Sequence, residues 1–234
     1  MTIEARALTW AGPGGPFEGH LAFQPGREVR PGVLIAPTIR GVSDLERAIA
    51  DRLAGRGYVA LVADLYGPRH YPLTTETARP LMDALNADRP LLAARMAAAF
   101  DALRQRGNVD PERTAAFGYC FGGKCVLDLA RAGEPVKGVA SFHGLLDPPP
   151  GGTGPIAAKV LAMHGWDDPL APPDAVLAFA REMTGAGADW QLHAYGHTVH
   201  GFTNPGHGDA YSPVADARSW TAAMDFLDEL FGAP

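Results

Sequence analysis

The sequence predicts an α/β protein with a mainly parallel central sheet and helices on both faces. Short apolar runs rich in β-branched residues alternate with stretches of helical periodicity, and this alternation is typical of a parallel sheet covered on both sides. Two earlier runs, at 4–10 and 18–23, are expected to form antiparallel strands ahead of the parallel ones. The other strand candidates are residues 32–36, 58–62, 114–117, 136–142, 159–163 and 189–195.

The helical segments carry start and stop signals of their own. The clearest spans residues 88–106, where apolar side chains recur on one face, Asp88 favours the start and Gly107 favours the end. A second begins with the capping-box pattern Ser43-x-x-Glu46, in which two backbone N–H groups find side-chain partners. The remaining helices are expected over residues 125–131, 173–184 and 214–230.

Length and composition indicate one domain, residues 1–234. Hydrophobic residues make up 47% and charged residues 20% of the chain, which is ordinary for a globular protein with a sizeable core. The richest Pro and Gly stretch, 147–155, is short and lies between two strand candidates. A surface loop is therefore favoured there over a domain boundary.

Charge and cysteine usage narrow the class of partner. The formal net charge is −6, whereas nucleic-acid binding relies on clustered Lys and Arg, so no nucleic-acid partner is expected. No apolar run approaches the ~18 residues of a membrane helix, and the first residues lack a signal-peptide layout. Cys120 and Cys125 cannot build a disulfide framework, which fits a reducing compartment. We expect a cytoplasmic monomer or homodimer that acts on a small molecule.

Residues 118–123 read G-Y-C-F-G-G and lie between a strand candidate and a helix candidate. A sharp turn there strains its central residue, and Gly118 and Gly122 make room where a side chain would collide. The following helix directs free N–H groups and its positive dipole end toward the Cys120 sulfur, which favours the thiolate. The pattern predicts a nucleophile, with a buried structural cysteine as the alternative.

The acid candidates follow the strand at 159–163. In hydrolases with such a turn, the nucleophile, the acid and the histidine occur in that sequence order at successive strand ends. Asp167 and Asp168 both occupy a suitable position. Asp168 is favoured because Pro169 follows it and fixes the turn, which leaves Asp167 as a turn or capping residue.

Three histidines surround the end of the last strand candidate. His200 is followed by Gly201 in a loop, where a catalytic base is expected to lie, but His193 and His197 are rivals. The residues alone leave this choice open.

Three motifs together resemble the dienelactone hydrolase family of α/β-hydrolases. They are residues 118–123, the H-G-W-D-D-P of 164–169 and the H-G-F of 200–202. The resemblance covers nearly the whole chain and selects His200 as the base. It implies the α/β-hydrolase fold and a carboxylic ester or lactone hydrolase, carboxymethylenebutenolidase-like, that needs no metal or organic cofactor.

The same resemblance implies an oxyanion hole formed by the backbone N–H groups of Ile39 and Phe121. Well-known members carry a glutamate just before the oxyanion residue and an arginine soon after the catalytic histidine, where this chain has Thr38 and Asn204. The usual partners of the resting thiol and of a substrate carboxylate are thus missing. The residues expected to line a substrate pocket are Thr38, Arg40, Tyr66, Arg69, His143, Trp166, Phe202 and Asn204.

These residues predict a cysteine hydrolase. His200, oriented by Asp168, keeps Cys120 as a thiolate or takes its proton, the sulfur attacks a carbonyl, and water then hydrolyses the thioester. Two other classes stay open. The histidines within 193–207 suggest metal-assisted hydrolysis, although their spacing fits no helical zinc motif, and the same fold can carry a non-catalytic ligand-binding or thiol-redox protein.

Overall fold

The structure, a computed structural model, describes residues 2–232 and is a mixed α/β fold. The strands are β1 (Glu4–Gly12), β2 (Gly15–Phe23), β3 (Arg30–Ala36), β4 (Val59–Val62), β5 (Val109–Tyr119), β6 (Gly138–Phe142), β7 (Lys159–Gly165) and β8 (Trp190–Tyr195). The α-helices are α1 (Asp44–Gly55), α2 (Thr75–Ala87), α3 (Arg89–Arg104), α4 (Phe121–Arg131), α5 (Pro173–Gly185) and α6 (Pro213–Phe231). Short 3-10 helices cover Pro68–His70 and Gly208–Ala210.

The strands form one eight-stranded sheet in the order β1-β2-β4-β3-β5-β6-β7-β8. β1 pairs antiparallel with β2 from Glu4–Phe23 to Gly12–Gly15, and β2 pairs antiparallel with β4. The pairs β3–β4, β6–β7 and β7–β8 are parallel. The predicted mainly parallel sheet, with an antiparallel start, is confirmed.

The sequence analysis missed one helix, α2. Its segment contains Pro80 inside the helix, and proline removes an N–H donor from the ladder, so the pattern does not indicate a helix. Thr74 nevertheless starts the helix, because its side chain accepts a hydrogen bond from the N–H of Thr77.

Two predicted helix boundaries were wrong. Helix α4 begins at Phe121, directly after Cys120, and not at Cys125. Helix α3 ends at Arg104 with Gln105 as its cap, so Gly107 lies beyond the end. In both cases the backbone hydrogen bonds decide where the helix begins or ends. Side-chain periodicity locates such a boundary only to within a few residues.

The chain divides into two compact units, one up to residue 116 and one from residue 117 onward. This division does not test the single-domain expectation, which stays a prediction. In the first unit, α1 packs on β2 and β4, and α3 packs on β1 and β3. The buried carboxylate of Asp64 accepts hydrogen bonds from the N–H groups of Tyr66 and Gly67 (2.9 Å each) and from the Tyr71 hydroxyl (3.0 Å), which fixes the loop after β4.

In the second unit, α4 packs on β6, and α6 packs on β6 and β7. Arg131, at the end of α4, is the main polar link between its elements. Its buried guanidinium donates to the Glu182 carboxylate (2.8 and 2.7 Å), to Asp128 (3.1 Å) and to the Leu146 carbonyl (3.0 Å). The cation therefore ties α4, α5 and the loop after β6 together.

Replacing Arg131 with methionine should destabilise the protein strongly. The substitution leaves Asp128 and Glu182 largely buried without this cation, which typically costs about 3–5 kcal/mol of unfolding free energy. Urea denaturation followed by circular dichroism measures the change. Arg6→Met is the control, because the Arg6–Glu4 pair is about half exposed and such pairs contribute less than about 1 kcal/mol. Equal effects in the two variants would contradict the structural role of Arg131.

Candidate active site

Cys120 occupies a strained turn between β5 and α4. Its backbone has φ 56° and ψ −115°, a left-handed φ that few non-glycine residues adopt. The Cys120 N–H donates to the Phe142 carbonyl (3.0 Å), and the Cys120 carbonyl accepts from the N–H of Gly123 (3.0 Å). The thiol is partly exposed, whereas Cys125 is buried, and neither cysteine is in a disulfide. The predicted sharp strand-to-helix turn is present.

Glycines allow this turn because backbones approach closely around it. A Cβ atom on Gly118 would lie 2.0 Å from the carbonyl oxygen of Gly122. A Cβ on Gly123 would lie 2.5 Å from the Gly144 Cα and 2.6 Å from the Ser141 Oγ. A steric need for glycine is therefore present at Gly118, as expected, and also at Gly123. The need for glycine at Gly122 stays a prediction.

Asp168 and His200 form a short, buried hydrogen bond. His200 Nδ1 lies 2.8 Å from Asp168 Oδ2, and the side chains are 13% and 0% exposed. The other carboxylate oxygen of Asp168 accepts from the N–H of Leu170 (2.8 Å). The rival residues also face each other, but Asp167 is half exposed, His197 is fully exposed, and their closest atoms are 3.9 Å apart. The buried geometry favours Asp168 and His200, whose catalytic roles stay predictions.

His200 carries an unusual charge. Burial alone would lower its pKa, but interactions with Asp168 and Cys120 outweigh burial and raise the pKa of His200 from 6.5 to about 10. The shift favours the charged imidazolium form of His200 at neutral pH. Within residues 2–232, His200 Nε2 lacks a standard hydrogen bond, and this nitrogen is the one left for the sulfur once Nδ1 is bound to Asp168.

Two of the predicted pocket residues, His143 and Phe202, are almost completely buried. His143 is 1% and Phe202 0% exposed, and their rings meet edge to face at 5.0 Å. His143 Nε2 also lies 2.8 Å from the hydroxyl of Thr203. These contacts make both residues part of the packing behind His200, with almost no surface for a ligand to contact.

The loops that carry Asp168 and His200 expose apolar side chains. Trp166 is 44%, Leu170 58% and Val199 36% exposed. Asn204, also a predicted pocket residue, accepts a hydrogen bond from the Gly206 N–H through its side-chain oxygen (2.9 Å) and so shapes its own turn. This part of the chain presents an apolar surface beside the buried His–Asp pair.

The other predicted site residues lie in the first unit. Thr38 donates its N–H (3.0 Å) and its hydroxyl (2.8 Å) to the buried carboxylate of Glu46, which also accepts from Ser43. Tyr66 donates its hydroxyl to the Ile39 carbonyl (3.1 Å). Glu46 thus holds both ends of the loop that carries Ile39. The sequence analysis identified Glu46 only as a helix cap, because the capping pattern gives no sign of its reach to Thr38.

Two arginines complete the predicted set. Arg69 donates to the ring of His70 (3.2 Å) and, with Tyr66, lines a cavity of about 630 Å³ in the first unit. Arg40 lines a smaller cavity of about 150 Å³ in the same unit. Roles for Arg40, Arg69 and Ile39 in substrate binding stay predictions.

Comparison with known proteins agrees with this fold. A model of the dienelactone hydrolase family matches residues 17–231. A dienelactone hydrolase-like promiscuous phosphotriesterase from metagenomic libraries is 34% identical, with a TM-score of 0.94 over 99% of this chain and 100% of that chain. A probable 2-oxo-3-(5-oxofuran-2-ylidene)propanoate lactonase of Bradyrhizobium sp is 25% identical over 97% of this chain and 96% of its own length. An uncharacterized protein of Caenorhabditis elegans is 35% identical over 60% of this chain and 94% of its own.

The fold and these matches define an α/β-hydrolase that acts on esters or lactones. More particularly, the chain belongs to the dienelactone hydrolase family, and the resemblance noted in the motifs is confirmed. No helix in the described residues is long and apolar enough to cross a membrane.

The charge on His200 is testable by NMR. In isotope-labelled protein, we expect the His200 ring to titrate at about pH 10, because Asp168 and Cys120 stabilise the imidazolium. Cys120→Ala removes the contribution of the cysteine to the raised pKa, so the pKa of His200 should fall in that variant. Since the folded pKa lies above the unfolded 6.5, the stability that His200 contributes is complete below pH 6.5 and is lost as pH rises to about 10.

The control variant for this titration is Cys125→Ala, which alters a buried cysteine outside the candidate triad and should leave the His200 titration unchanged. A wild-type His200 that titrates near the ordinary value, or a titration that Cys120→Ala leaves unchanged, would show that no ion pair forms.

Proposed function

We propose that the protein hydrolyses small esters or lactones through a Cys120–His200–Asp168 triad and a thioester intermediate. The observation that carries the proposal is the buried hydrogen bond between His200 Nδ1 and Asp168 Oδ2 (2.8 Å). The raised pKa of His200, which depends on interactions with both Asp168 and Cys120, agrees with it. Nucleophilic catalysis by cysteine requires a buried carboxylate that holds an imidazolium and a sulfur next to that imidazolium.

The proposed reaction begins with the Cys120 thiolate, which attacks the substrate carbonyl. The N–H of Phe121, at the first position of α4, is free of intrahelical partners by its position and can donate to the developing oxyanion. His200 then gives its proton to the leaving alcohol as the thioester forms. The neutral ring next activates a water, which hydrolyses the thioester and returns the proton. Asp168 holds the ring through Nδ1 in both half-reactions.

Cys120→Ala should lower kcat/KM for a p-nitrophenyl ester by at least about 10³-fold, because loss of a triad member removes covalent catalysis. The matched control is Cys125→Ala, which alters a buried cysteine outside the triad and should keep turnover within about threefold of the wild type. A thiol-reactive electrophile should modify Cys120, as detected by mass spectrometry. Added substrate should prevent this modification.

Wild-type turnover by a folded Cys120→Ala would reject the cysteine nucleophile. Loss of wild-type activity on chelation, restored by zinc, would favour metal-assisted hydrolysis instead. Disulfide formation with peroxide, without ester turnover, would favour a thiol-redox protein.

We further propose that the preferred substrate is uncharged. The loops at 165–172 and 196–212 contain no Lys or Arg, and they carry the carboxylate of Asp167 at 50% exposure. The apolar side chain of Trp166 is exposed on the first of these loops. Such a surface attracts an apolar acyl or alcohol group and repels a carboxylate.

Paired esters that differ only by a carboxylate test this preference. The neutral ester should have the higher kcat/KM, by about tenfold at low salt, and the gap should narrow as salt screens the repulsion. Asp167→Asn should also narrow the gap, whereas Asp174→Asn, in the first turn of α5, should not. Equal rates for the pair, or faster cleavage of the anion, would indicate that an arginine such as Arg69 binds the carboxylate.

A further inference from the structure

His143 occupies a buried position one residue beyond the end of β6. Its N–H donates to the Met163 carbonyl (2.8 Å), so strand pairing with β7 continues past Phe142. Its φ of 39° is left-handed, which is rare for a residue with a side chain. The neighbouring Phe142 carbonyl accepts the Cys120 N–H. His143 is therefore held by the same strand end that fixes the nucleophile.

The side chain of His143 contacts the histidine loop at three points. Its Nε2 lies 2.8 Å from the Thr203 hydroxyl in a buried hydrogen bond. Its ring meets the rings of His200 and Phe202 edge to face, with centroids 5.2 and 5.0 Å apart and interplanar angles of 68° and 81°. The Tyr119 ring also meets the His143 ring edge to face, with the centroids 6.2 Å apart. One imidazole thus touches both His200 and the residues that follow it.

The charge state of His143 fits this packing. Burial, followed by repulsion from the His200 imidazolium, lowers the pKa of His143 well below 6.5, and His207 and His164 add to the same effect. Burial therefore favours the neutral form of the ring. A neutral ring can lie against the charged ring of His200 without the repulsion that a second cation would bring.

We propose that His143 and Thr203 form a positioning pair that holds His200 in line with Cys120. The inference rests on the proposed function, since it concerns the same base. The His143–Thr203 hydrogen bond fixes the loop three residues after His200, and the His143 ring blocks one face of the space into which His200 could rotate. Asp168 anchors Nδ1, and the pair restricts the remaining rotation of the ring. His143 and Thr203 are 1% and 7% exposed, so the pair acts through His200 and not through contact with the substrate.

The key experiment compares Thr203→Val with Thr203→Ser. Valine keeps the shape of threonine but removes the hydroxyl, whereas serine keeps the hydroxyl and loses a methyl. Thr203→Val should lower kcat about tenfold with KM within about twofold, since misalignment of a catalytic group acts on the chemical step. The pKa of His200, read by NMR, should also fall, because the ring leaves its best position between Asp168 and Cys120. Thr203→Ser should restore both values.

His143→Gln provides an independent variant, because glutamine can still reach the hydroxyl but removes the ring contact with His200. We expect a loss of kcat and a lowered pKa of His200 here too. If Thr203→Val does not fold by circular dichroism, Thr203→Ala and His143→Gln answer the same question.

A merely structural role predicts a different result. The melting temperature would fall, but kcat and the pKa of His200 would stay unchanged in every folded variant. That result would overturn the proposal. Cys120→Ala, measured alongside, separates this failure from failure of the function. If Cys120→Ala is inactive while Thr203→Val behaves as wild type, only the positioning pair is rejected. If Cys120→Ala remains fully active, the triad itself is rejected.

Discussion

The hydrogen bond between Asp168 and His200 is the constraint on which the candidate site depends. It needs two loops, after β7 and β8, to meet at one edge of the sheet, and the parallel register that pairs Gly165 with Tyr195 brings them there. Two backbone bonds then join the loops, from Trp166 to the Tyr195 carbonyl (2.9 Å) and from Asp167 to the Thr198 carbonyl (3.0 Å). Gly165 permits this approach, because a Cβ there would lie 2.5 Å from the Thr198 oxygen. The pairing of β7 with β8 therefore places Asp168 within hydrogen-bond distance of the His200 ring.

Backbone strain is concentrated around the same site. Among the residues that the structure describes, Cys120, His143 and His197 are the non-glycine positions with positive φ, and each lies in or beside the candidate site. Such conformations cost of order 1–3 kcal/mol each and persist where surrounding bonds fix them. Here the fixing bonds link Cys120 to the Phe142 carbonyl and His143 to the Met163 carbonyl. The strained residues are therefore held by neighbouring strand ends, which act as a rigid frame for the sulfur.

Local patterns predicted the parts of this site that depend on local chemistry. The glycine-rich turn around Cys120 and the acid position at Asp168 follow from turn geometry, so the sequence indicates them directly. The His143–Thr203 bond joins residues 60 positions apart, and nothing in the periodicity of either segment indicates it. His200 was selected over His197 only by family resemblance, because burial, which separates the two, is a property of the fold. Helix α2 was missed because Pro80 argues against a helix, and only tertiary packing overrides that preference.

The arrangement also explains why three histidines can crowd one site. His143, His164 and His200 interact electrostatically, and three imidazolium ions in such a dry environment would repel one another. Burial lowers the pKa of His143 and His164, whereas His200 alone has a carboxylate and a sulfur as partners, which raise its pKa to about 10. These shifts favour a positive charge on His200 and neutral rings at His143 and His164. The proposed cysteine mechanism requires one cation beside the sulfur, and the rings of His143 and His164 pack around that cation without adding a competing charge.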